Sequence, residues 1–301
     1  MMMPNFLVIG AAKAGTTALY EYLRQHPQIY MSPHKEPRFF AIADEPLDFQ
    51  GPGDLTRFKF VRDLKSYQAL FKGVSGEIAI GEASPWYLYV PKAVKRIQHH
   101  IPDAKLIVIL RDPVERAYSN FIHAVREDLE PLNDFAQAME AEAERIRNNW
   151  SYRWHYKQKG LYYNQLKRYL DHFHPAQIKV LLYEDFQKDT LAALQEIFHF
   201  LDVDDTFIPD TKQKHNVSGI PKNKDLDKLI TGHGQFKSTL KSMIPFASLR
   251  QHLKRKFLSL NMNQKPDLNS TVRQHYIEFY RPDILQLQAL IQRDLSSWLK
   301  V

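Results

Sequence analysis

The segment Gly10-Ala11-Ala12-Lys13-Ala14-Gly15-Thr16-Thr17 is the part of this sequence best suited to hold an anion. Its small residues let backbone N–H groups approach a ligand closely, and a helix starting at Thr16 would add partial positive charge. The spacing is that of a phosphate-binding loop, G-x-x-x-x-G-K-[ST], with one departure. The position after the second glycine is Thr16, and the lysine lies inside the loop at Lys13. A loop for a nucleoside triphosphate uses its lysine on the β- and γ-phosphates and its hydroxyl on magnesium. A displaced lysine suits a different anion.

Three further groups have the types and spacing for chemistry. In Leu110-Arg111-Asp112-Pro113, an arginine stands at a strand end, ahead of a helix that Pro113 would open. Ser119 falls about two turns along that helix and His123 one turn further, on the same face. A guanidinium gives bidentate contact to a phosphate, and a hydroxyl adds one donor. Asp112 and Arg116 are expected to be paired structurally. In His34-Lys35-Glu36-Pro37-Arg38-Phe39-Phe40, a carboxylate sits between two cations, ahead of aromatics that belong to a core. Gly81-Glu82-Ala83-Ser84-Pro85 closes a strand, with Ser84 placed to cap a helix or shape a site.

Strands and helices alternate so as to position these groups. Phe6–Ile9, Lys105–Leu110 and Ile178–Tyr183 are β-branched apolar runs of buried parallel strands. Ile78–Glu82 and Ile29–Met31 are shorter strands of the same kind. Helical patterns cover 16–25, 91–99, 114–126, 161–173 and 190–201. This alternation predicts an α/β fold, a central parallel β-sheet flanked by helices, with ligands beyond the carboxyl ends of the strands. Residues 211–270 are basic, broken by Pro and Gly, and weakly periodic. A helical pattern returns over 271–299, with a break expected near Pro282. The organisation predicted is one domain over 1–301, with a nucleotide-binding core at 1–210 and a closing loop and C-terminal helices at 211–301.

FLVIGAAKAGTTALYEYL resembles the 5′-phosphosulfate loop of sulfotransferases that use 3′-phosphoadenosine 5′-phosphosulfate (PAPS), in the branch that includes the heparan sulfate enzymes and many bacterial relatives. The resemblance implies a P-loop-like sheet and a loop in which Lys13, Ala14, Gly15, Thr16 and Thr17 hold the phosphosulfate. Lys13 would also meet the leaving bridge oxygen. It implies that Arg111 and Ser119 bind the 3′-phosphate and that Glu36 is the general base. His123 becomes an alternative base or an orienter of the acceptor. Tyr162, in Lys159-Gly160-Leu161-Tyr162-Tyr163, would touch the nucleotide side. Heparan-type members often carry a lysine where Ala83 stands, with Lys35, Arg38 and His123 left to supply that charge. The loop 212–222 would close over the nucleotide, and 240–260 would form a covering helix or an acceptor element. A sulfuryl group carries less charge than a phosphoryl group, so no metal is called for.

Composition bounds these readings. The chain of 301 residues carries a net charge of +7, which favours anionic ligands without choosing among them. It has no cysteine, so no disulfide supports the fold. The start lacks a basic n-region, and no segment reaches membrane-spanning length, so a cytoplasmic protein without membrane insertion is expected. The acceptor expected is a saccharide, lipid or other small molecule. Two rivals remain: a small-molecule kinase using ATP and magnesium, for which Glu82 is the one acidic metal residue at a strand end, and a nucleic-acid-binding protein. The second is disfavoured because the basic residues are scattered and form no stripe with aromatics.

Overall fold

The computed structural model describes residues 2–52, 60–212 and 266–301. Among these, strands β1 (Phe6–Gly10), β2 (Ile29–Met31), β3 (Ala79–Ala83), β4 (Lys105–Leu110) and β5 (Ile178–Leu182) form one parallel sheet in the order β2-β3-β1-β4-β5. The predicted α/β class and all five predicted strands are present. β1 and β3 are buried along their whole length and β4 nearly so, because helices cover both faces; an apolar run without alternation is the sequence consequence. β5 lies at the edge and keeps a partly exposed first half.

The order of the strands places the ligand crevice. From β1 the chain goes out to the edge strand β2, returns through β3 beside β1, then crosses to β4 on the other side of β1. The segments leaving β1 and β4 therefore diverge at the carboxyl end of the sheet, where open α/β sheets bind their ligands. The helix after β1 runs from Thr16 to Leu23, and the helix after β4 from Pro113 to Arg126. Asp112 caps the latter, accepting from the N–H groups of Val114 and Glu115. Asp112 does not pair with Arg116: it is bridged by Arg273 at 2.7 Å, while the buried Arg116 donates to the carbonyl of Tyr156.

The C-terminal pattern departs from expectation at Pro282. The helix Ser270–Ile291 runs unbroken through it, and a short 3-10 turn follows at Ser296–Leu299. Proline inside a helix costs about 3 kcal/mol through a lost hydrogen bond and a ring clash. Here Pro282 faces solvent, where water can meet the carbonyl left without its donor. The opposite face buries Tyr276, Ile277, Tyr280, Ile284 and Leu287, and tertiary packing overrides the local cost. Asp283 adds an anchor. Its carboxylate accepts from the N–H groups of Tyr162 and Tyr163, at 2.8 and 3.2 Å, and so caps the helix Tyr162–Leu170. Among the described residues no helix is long and apolar enough to cross a membrane.

Candidate active site

A cavity of about 690 Å³ opens at the carboxyl ends of the strands, and the segments after all five of them contribute to its wall. Of the sequence-predicted site residues, Lys13, Gly15, Thr16, Thr17, Glu36, Arg111, Ser119 and His123 line it. Ala14 and Tyr162 do not. Ala14 is fully buried and its N–H donates to the carbonyl of Ala11, so it has no donor to offer a ligand. Tyr162 is also fully buried, and its hydroxyl donates to the carbonyl of Arg111 at 3.0 Å. It holds Arg111 from behind.

The loop after β1 is held open by its backbone. Gly15 has φ 91° and forms the N-cap of the Thr16–Leu23 helix, with no side chain capping that end. A Cβ there would lie 3.1 Å from the Tyr183 ring, which itself stacks under the Arg111 guanidinium at 4.6 Å. Replacing Gly15 by alanine should cost roughly 1–2 kcal/mol from the left-handed backbone alone. It should also push Tyr183 and Arg111 out of register. A urea midpoint equal to wild type would refute this.

Lys13, Glu36 and Arg38 also have positive φ, at 70°, 59° and 58°. Left-handed backbone at non-glycine residues persists where the surroundings over-determine it. Each of the three is tied by a main-chain hydrogen bond. Arg111 Nη1 donates to the Lys13 carbonyl at 3.1 Å, the Glu36 N–H donates to the Ala83 carbonyl at 3.1 Å, and the Arg38 N–H donates to Ser84 Oγ at 3.0 Å. Ser84 is thus a brace for Arg38; the short helix Trp86–Tyr89 that follows takes Pro85 as its N-cap.

Opposite charges meet in the segment after β2. Glu36 Oε1 accepts from Lys35 Nζ at 2.7 Å and Oε2 from Arg38 Nη2 at 2.5 Å. Arg38 in turn lies over the Trp86 ring at 4.4 Å. Burial alone would raise the Glu36 pKa, but the Arg38 and Lys35 charges outweigh it and hold the carboxyl at about 2. Lys13 is lowered to about 8, first by burial and then by the Arg126 guanidinium. Among the described residues its ammonium has no hydrogen-bond partner.

His123 is neutral. Burial, then Lys13 and Arg126, push its pKa down to about 2. Its Nδ1 accepts from Arg126 Nη2 at 3.0 Å, so the ring proton sits on Nε2, which donates to Glu127 Oε1 at 3.2 Å. Both ring nitrogens are therefore engaged, and the contact with Glu127 is a hydrogen bond without charge on the ring. Neither Ala83 nor Glu82 reaches the cavity. Glu82 is fully buried under the hydroxyls of Tyr87 and Tyr67, at 2.6 and 3.2 Å, and burial lifts its carboxyl to about 7.

Some cavity residues escape a reading of the sequence. Arg126 lies on the helix face of Ser119 and His123, a signal that extending the face by one turn would have found. Asn120, Arg153, Lys159 and Trp86 are brought in by tertiary packing; Lys159 Nζ donates to Asn120 Oδ1 at 3.0 Å. Thr211, just ahead of the predicted closing loop, also lines the cavity, but residues 213–222 of that loop and the segment 240–260 lie outside the described residues.

Comparison with known proteins agrees with this geometry. The chain is 36% identical to a sulfotransferase of Alicyclobacillus acidocaldarius of known structure, over all of both chains, with a TM-score of 0.79. It is 27% identical over 308 residues to the human bifunctional heparan sulfate N-deacetylase/N-sulfotransferase 3, covering 99% of this chain and 31% of that protein. It is 30% identical over 202 residues to the mouse heparan sulfate glucosamine 3-O-sulfotransferase 3B1, covering 66% of this chain and 46% of that protein. The chain thus spans less than half the length of these two relatives. Residues 4–207 match the family model described as the sulfotransferase family, and a match over the phosphate loop, the Glu36 segment and the Arg111–Ser119 helix together places the chain in that family.

Proposed function

We propose that the protein transfers a sulfuryl group from PAPS to a hydroxyl or amine of a small-molecule or saccharide acceptor. One observation carries this reading. The Lys13 loop and the Arg111/Ser119 pair line the same cavity, and Arg111 touches the loop itself at 3.1 Å. One nucleotide with two separated anionic ends would be gripped at both, which fixes its sulfur for in-line attack. The saccharide class is suggested by relatives named for heparan sulfate.

The reaction assigns a task to each group. The acceptor oxygen or nitrogen forms a bond to sulfur as the bond from sulfur to the bridging oxygen breaks. The electron pair stays on the 5′-phosphate, leaving adenosine 3′,5′-bisphosphate (PAP). The acceptor's proton passes to Glu36, which is fully ionised at neutral pH. A carboxylate offers about four lone-pair sites, and Lys35 and Arg38 occupy two of them, so the acceptor can donate without displacing either. Lys13 meets the charge that builds on the bridging oxygen. The rival kinase reading is disfavoured by Glu82, whose carboxylate is turned into the core and held by two tyrosines.

Two titrations and a transfer assay test the proposal. PAP should bind at least about tenfold more tightly than ATP with magnesium, because an Arg111/Ser119 clamp rewards a 3′-phosphate. Labelled PAPS should pass its label to an acceptor in a screen across saccharides, lipids and small metabolites. Binding of ATP–magnesium in preference to PAP would overturn it.

A further inference from the structure

Lys13 and Arg126 are both cations of the cavity wall, and neither forms an ion pair with a carboxylate among the described residues. They are close enough that Arg126 is the strongest charge acting on the Lys13 ammonium. Glu127 and Glu36 offset part of this repulsion at Lys13, but with neither cation held in an ion pair among the described residues, an anion lying between them would relieve it more fully. Resting on the PAPS reading, we infer that Arg126 is a further catalytic residue, a guanidinium that joins the Lys13 ammonium on the oxygens of the transferring sulfuryl group, and that His123 is the residue that positions it.

The hydrogen-bond pattern supports both halves. Arg126 ends the helix Pro113–Arg126, and a free arginine side chain there would sample many rotamers in solvent. It is instead tethered by His123 Nδ1 at 3.0 Å. His123 is fixed from its other side by Glu127 at 3.2 Å, and Glu127 is fixed by Arg153 at 2.7 Å. The chain Arg126–His123–Glu127–Arg153 is therefore continuous, and Arg126 at one end of it lines the cavity with an ion pair to no carboxylate among the described residues. The chemistry of His123 fits this role better than that of a base. Its Nδ1 lone pair is already used to orient the guanidinium, and a protonated ring would repel it.

The other charges cannot take this part. Lys35 and Arg38 are both committed to Glu36, Arg153 is paired with Glu127, the buried Lys159 donates to Asn120 Oδ1, and Ala83 is buried and has no charge. Further charge stabilisation beside Lys13 thus falls to Arg126. A cation aimed where charge develops acts mainly on the transition state, so its removal should cost rate and leave product affinity little changed.

The test separates turnover from product binding. The rate of PAPS consumption, with the acceptor from the screen or with water, would be measured beside the dissociation constant for PAP, which lacks the sulfuryl group. Arg126→Ala should lower turnover about 100-fold while the PAP constant stays within about threefold. Arg126→Lys should keep a larger share of the rate than Arg126→Ala. His123→Ala should lose about tenfold in turnover with PAP binding kept, and His123→Gln, whose amide oxygen can accept from Arg126, should recover part of that loss. Full turnover in Arg126→Ala, or a loss of PAP affinity that matches the loss of rate, overturns the inference while sulfuryl transfer stands. Wild-type protein that binds no PAP overturns the sulfuryl-transfer reading, and this assignment falls with it.

Discussion

Glu36→Gln is expected to lower turnover by about 10²–10⁴-fold, the usual contribution of a positioned general base. The amide keeps the shape of the carboxylate but has one oxygen, so it can accept from only one of Lys35 and Arg38 in place, and it cannot take a proton from the acceptor. The same change removes the negative charge that balances those two cations. The cavity then becomes more positive, so PAP should bind at least as tightly as to wild type, and more so at low salt. This opposite movement of rate and affinity marks a base. If Glu36 served only as a salt-bridge partner for Lys35 and Arg38, its loss would loosen the wall and weaken nucleotide binding while chemistry continued. Equal losses in the two measurements, or full turnover, would remove Glu36 from the mechanism. The pH profile offers a second check. With the carboxyl held at about 2, Glu36 stays ionised throughout the acidic range, so kcat/KM should show no acidic limb from this group between pH 4 and 7. His123, also at about 2, adds none.

Much of this site could be read in the sequence because its parts are local. The loop after β1 and the Arg111-to-Ser119 helix are runs of adjacent residues whose spacing fixes their backbone, and the strands that aim them are uninterrupted apolar stretches. Assignments failed where a role depends on what lies on the far side of a residue. Tyr162 follows a conspicuous segment and carries a hydroxyl, yet that hydroxyl meets the carbonyl of Arg111, a partner 51 positions away in the chain. Arg126 passes for an ordinary cation at a helix C-terminus, where it would complement the macrodipole. Its helix face could have been read from the spacing to Ser119 and His123, but its closeness to Lys13, on a separate segment, could not. His123 was legible as a cavity residue, but its protonation state was not. That state follows from burial among three cations, Lys13, Arg126 and Arg153, drawn from three separate segments. Pro282 shows the same limit in the scaffold, since the tyrosines that hold its helix are bound by packing that no local propensity describes.

Lys13→Ala should cost about 10²–10³-fold in turnover, the range seen when one donor to a developing oxyanion is removed. PAP affinity should fall far less, because the loop backbone, the Thr16 helix end and Arg111 still hold the phosphates. The lowered pKa of Lys13 turns this into a pH signature. In the free protein the ammonium titrates at about 8, first because it is buried and next because Arg126 repels it. Its charged form is the useful one, so kcat/KM should fall as pH rises through about 8, by one proton, well below the range of an exposed lysine. A bound PAPS brings negative charge to the ammonium and raises its pKa, so the alkaline limb of kcat should lie higher than that of kcat/KM. Lys13→Arg keeps a cation that does not titrate in this range, and the limb near 8 should vanish from its profile even where its rate is reduced. The wild-type advantage over Lys13→Ala should correspondingly shrink above pH 8. A limb near 8 that survives unchanged in Lys13→Arg would assign the titration to another group and leave the bridging oxygen without the partner named here.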